Sequence, residues 1–147
     1  MKTVTLFAML LGSLLLSSCA TLSKWKYIGI YEVDYAKCGI VPAPDTFDKT
    51  ASAIAKSVDG WVRFDPVGPD GYRNAYLFLR TGDERDWPSR IVFSSEDHGK
   101  RFGISIIKQE AGEPAWLKLL RTQIERGLTD AGCSKWEFYV QKGSVFQ

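Results

Sequence analysis

Between Trp61 and Lys108 the chain carries four short apolar–aromatic runs, at 61–65, 75–80, 90–94 and 102–108, each closed by turn residues. Their spacing constrains the fold more than any other feature. Pro66-Val67-Gly68-Pro69-Asp70-Gly71 is a dense cluster of chain-reversing residues. The charged stretch Thr81–Ser89 and the polar tip Ser95–Lys100 make the other two breaks. Parallel neighbours need a crossover of roughly a dozen residues or more, so these runs are expected to form an antiparallel meander. Ala75–Leu79 and Ile104–Ile107 are apolar on both faces in places. A sheet covered by helices on one side, with large aromatics on the other, accounts for that.

The flanking segments supply the remaining elements. From Trp25 to Tyr35 the residues alternate with a period of two, a strand with Trp25, Tyr27, Tyr31, Val33 and Tyr35 on one face. Phe47, Ala51, Ile54 and Val58 recur at helical steps after Asp45 or Thr46 as a cap, with Gly60 placed as the closing glycine. Gly112-Glu113-Pro114 announces a second helix, striped by Leu117, Leu120, Ile124, Leu128 and Ala131 and stopped by Gly132. Lys118, Arg121, Glu125 and Arg126 fall elsewhere on the wheel. Ser134–Gln141 alternates again and reads as a final strand. The expected fold is α+β: a two-layer sandwich of order β-α-β-β-β-β-α-β, an antiparallel sheet with both helices on one face.

The amino terminus belongs to another kind of segment. Lys2 precedes an almost unbroken apolar run, Val4 to Leu16, which ends in Leu16-Ser17-Ser18-Cys19-Ala20. The run is shorter than the roughly 20 residues a spanning helix needs, and it ends in small residues, as a secretory signal does. Leu-Ser-Ser-Cys resembles the lipobox of bacterial lipoproteins, a likeness confined to residues 1–20. It implies cleavage after Ser18, diacylation of Cys19 and acylation of the new amino terminus, palmitate included. Ala20 after the cysteine, rather than aspartate, implies the outer membrane, on its periplasmic face. The expected organisation is a signal peptide over 1–18, a lipidated tether over 19–24, and a single periplasm-facing domain over 25–147. Several acyl chains on Cys19 make attachment effectively stable where one holds only marginally. Lys24-Trp25-Lys26-Tyr27 suits a membrane–water boundary, or else simply begins the first strand.

With Cys19 given to lipid, Cys38 and Cys133 remain in a compartment that favours disulfides, and a Cys38–Cys133 bond is expected; the alternative is two buried thiols. Lys and Arg number 19 against 17 Asp and Glu, a balance that argues against nucleic acid, which demands a basic face. No phosphate-binding, dinucleotide, zinc-protease or nucleophile-elbow motif is present, so no catalytic residue, cofactor or metal is assigned. His98, the single histidine, lies beside Glu96 and Asp97 in a polar tip, where a solvated turn is the plainer reading. Arg85 and Trp87, in 80–88, are interface-type side chains. His98, Arg85 and Trp87 are the candidate partner contacts. The expected function is a non-enzymatic, membrane-anchored envelope lipoprotein that binds a protein or envelope component. The alternative is an immunity or inhibitor lipoprotein that blocks an envelope-directed hydrolase or toxin through a protruding loop.

Overall fold

The structure, a computed structural model, describes residues 27–80, 89–108 and 112–141. Its elements follow the expected order: β1 Tyr27–Asp34, α1 Thr46–Ser57, β2 Gly60–Phe64, β3 Arg73–Leu79, β4 Ser89–Glu96, β5 Arg101–Lys108, α2 Ala115–Asp130 and β6 Glu137–Gln141. The six strands form one antiparallel sheet in the order β2-β3-β4-β5-β1-β6. The meander is continuous from β2 to β5, and β1 then enters between β5 and β6.

Period-two alternation decides which side of the sheet takes the helices. Tyr31, Val33, Ala75, Leu77, Ile91, Phe93, Phe102, Ile104 and Ile106 are buried on one face against Phe47, Ala51, Ile54, Leu117, Leu120, Ile124 and Leu128. Both helices therefore lie on that face and close the core. They run in opposite directions and meet where Ser57 Oγ donates to the Gln123 carbonyl at 2.7 Å. Gly127 makes this approach feasible, because a Cβ there would stand 2.6 Å from Ile54 Cα and from Ser57 Oγ.

Two helix ends behave differently from each other. Gly132, at φ +90°, closes α2 as its position predicts. At the end of α1 the left-handed residue is Asp59, at φ 52°, while Gly60 is already the first residue of β2. Gly60 is needed there for a different reason: a Cβ would sit 2.6 Å from the Phe78 carbonyl oxygen across the strand pair. Asp45 occupies the start of α1 without a side-chain cap, and its carboxylate instead meets Lys49 Nζ at 2.7 Å. Cys38 and Cys133 are joined as a disulfide with Cα atoms 4.9 Å apart, linking the chain just after β1 to the chain just after α2.

Candidate functional site

Each strand that buries one residue under the helices turns the next to the opposite face, and among the described residues no element covers that face. Register sets its rows. Trp61 pairs with Phe78 across β2 and β3, and their rings stack with centroids 4.4 Å apart. Two residues along, Arg63 pairs with Tyr76 and Tyr76 with Val92. The row continues through Ser105 and Ile30 to Tyr139. The Arg63 guanidinium stands 5.0 Å from the Tyr76 ring centroid and 5.7 Å from that of Phe78. Trp61 is 46% exposed although it is stacked. The result is a strip in which aromatic rings and an arginine are held rigid by one another, open to solvent along the β2–β3 side.

At the other side of the same face Tyr139 Oη donates to Glu32 Oε1 at 2.7 Å, and this bond holds the phenol above its ordinary range. Nearby, a half-open cleft of about 530 Å³ lies beside the disulfide. Its walls carry Glu32, Asp34, Lys37, Arg101, Lys135 and Glu137 around Trp136. Lys37 and Glu137 are 3.2 Å apart across it, and both are well exposed, so the pair contributes little to stability. The cleft offers charges of both signs.

A third cluster lies under α2. Arg121 Nε donates to Tyr31 Oη at 3.1 Å, and Tyr31 Oη donates to Glu125 Oε1 at 2.9 Å. Arg121 also pairs with Glu113, and its guanidinium sits 3.5 Å from the Phe138 ring centroid. Burial pushes the Tyr31 phenol far above its ordinary range, with the Arg121 bond opposing. Burial disfavours the Arg121 charge, but the bonds from Tyr31 and Glu113 more than offset it and raise its pKa. The helical wheel leaves Arg121 and Glu125 outside the apolar stripe. They stand at its margin and fasten α2 to β1 and β6.

His98 occupies the turn between β4 and β5 at φ 54°, beside Asp97 at φ 48°, is exposed, and lines neither this cleft nor the shallower one beside Trp61. Cys19, Arg85 and Trp87 lie outside the described residues. Trp61, Arg63, Tyr76 and Phe78 were not singled out as contacts from the sequence. Their alternation was visible there, but the register that makes them one strip was not. Among the described residues no helix is long and apolar enough to cross a membrane, and no three of His, Cys, Asp and Glu converge as metal ligands. No protein-family model, characterised protein or solved structure matches the chain.

Proposed function

We propose that this chain is a non-enzymatic lipoprotein of the bacterial outer membrane, anchored through acyl chains on Cys19, whose open sheet face docks an envelope protein. The Trp61–Arg63–Tyr76–Phe78 strip carries the reading. Tryptophan, tyrosine and arginine dominate binding energy at protein interfaces because they bury much area at little entropic cost. Here they stand pre-ordered by stacking, so docking would immobilise little further. The placing of His98 in an exposed turn supports a binding role over acid–base chemistry. The inhibitor alternative called for a protruding loop. Of the two loops it could use, 95–100 is a tight turn in which four residues, Asp97–Lys100, join Glu96 to its partner Arg101, and 81–88 lies outside the described residues.

A photo-crosslinking residue at Ser105, central on the open face, is expected to give a discrete protein adduct in intact envelopes. The same residue at Thr122, on the outer side of α2, is expected to give none. W61A/R63A should reduce the Ser105 adduct about tenfold or more, as loss of paired anchors does. Equal adducts from both positions, or an adduct indifferent to W61A/R63A, would remove the open face as the docking surface. Anchoring is read separately: a fatty-acid probe should label the parent and leave C19S unlabelled.

A further inference from the structure

The outward side of α2 changes character along its length. From Arg121 onward it is charged and polar, as a solvated helix face should be. In the first turn and a half, Ala115-Trp116-Leu117-Lys118-Leu119-Leu120, only Lys118 is polar. Leu117 and Leu120 are buried in the core, yet Trp116 is 47% exposed and Leu119 61% exposed. An amphipathic helix needs only one apolar side, so this second one requires a separate cause. Large apolar side chains side by side in water are unfavourable unless something covers them.

Topology places this patch. The end of the sheet at which β1 begins is marked by Tyr27 paired with Lys108, and Lys108 with Ser89. At 16 residues α2 is about 24 Å long, close to the length of β1 itself. The chain just beyond its carboxyl end is tied by the disulfide to Cys38, past the far end of β1. Trp116 and Leu119 therefore lie toward the end where β1 starts. The chain from Cys19 to Tyr27 spans at most about 28 Å when fully extended, so an acylated Cys19 would hold this end against the bilayer. Lys118, exposed, stands between Trp116 and Leu119 on the same turn of the helix. Exposed tryptophan and leucine beside a lysine suit the headgroup layer of a membrane.

We infer that the first turn of α2 is a membrane seat, with Trp116 and Leu119 entering the lipid interface and fixing how the domain stands on its anchor. The inference rests on the reading of Cys19 as acylated, and its orienting consequence is that the cleft at the disulfide end is held clear of the lipid. A rigid seat of this kind would turn a short tether into a defined orientation.

The test uses the full acylated chain, purified from membranes and reconstituted in phosphatidylethanolamine–phosphatidylglycerol vesicles with brominated acyl chains. Tryptophan emission should be quenched. W116F should measurably lower the quenched part, since Trp116 is an exposed tryptophan at the end where β1 starts, whereas W136F, at the disulfide end, should leave it unchanged. Both positions are at least partly exposed, so neither exchange threatens the fold. An acylated, vesicle-bound chain in which W116F quenches like the parent would remove the seat and keep the anchor. A chain found to lack acyl groups that still shows Trp116-dependent quenching would keep the seat and remove the anchor.

Discussion

Tyr35 shows how one buried side chain sets a condition on the whole fold. Its ring is buried in the core, and its hydroxyl donates to Thr50 Oγ1 at 3.0 Å, which in turn donates to the Thr46 carbonyl. Burial pushes the phenol up to about 12, with the Thr50 bond acting in the opposite direction. A folded-state pKa above the unfolded value of about 10 means the stabilisation is complete below pH 10. It is lost as pH rises toward 12, because the unfolded chain releases its proton first. Urea unfolding followed at increasing pH should therefore show stability falling through that window, with Tyr35 accounting for on the order of 2 kcal/mol at the upper end. Y35F should cost about 1 kcal/mol at neutral pH through the lost hydrogen bond and flatten the alkaline decline. A decline as steep in Y35F as in the parent would refute this assignment. That Tyr35 faces inward follows from the alternation of 25–35; that its hydroxyl finds Thr50 depends on where α1 is laid across the strand.

At the level of elements, the contact between α1 and α2 turns on Gly127. Glycine weakens a helix interior by roughly 1 kcal/mol relative to alanine, so alanine here would help α2 in isolation. In the folded molecule its methyl would drive into Ile54 Cα and Ser57 Oγ, and overpacking of this kind costs about 1–3 kcal/mol. G127A should therefore destabilise by up to about 2 kcal/mol net in chemical denaturation, the reverse of the propensity expectation. A stabilised G127A would mean that the helices can part without loss. The stripes Phe47-Ala51-Ile54-Val58 and Leu117-Leu120-Ile124-Leu128 were legible because a 3.6-residue period writes itself directly into sequence. Gly127 was not, since its reason for being there lies on the other helix. The same holds for Arg121, whose neighbours Tyr31 and Phe138 are far away in sequence.

For the molecule as a whole the disulfide is the covalent constraint between distant segments, closing a separation of 95 residues that includes both helices and four strands. In the chain-entropy picture a loop of that length contributes about 4–5 kcal/mol by restricting the unfolded state. Reduction, or C38A/C133A, should lower Tm by more than about 10 °C without altering the secondary structure seen by circular dichroism below the transition. An unchanged Tm would show that the unfolded chain is held compact by other means.

What the sequence determined by itself is local: the order of the elements, the alternation of the first and last strands, and the meander from β2 to β5, whose short connections favour antiparallel neighbours. These follow from periodicity and reach along a continuous chain. The insertion of β1 between β5 and β6 was decided only by the tertiary structure, since those pairings join segments separated by most of the domain. So was the site. Trp61, Arg63, Tyr76 and Phe78 become one strip through register, and Trp116 with Leu119 becomes an exposed apolar end only once Leu117 and Leu120 have taken the core. A sequence states what each residue prefers next to its neighbours; which distant residues share a surface is settled by how the layers pack.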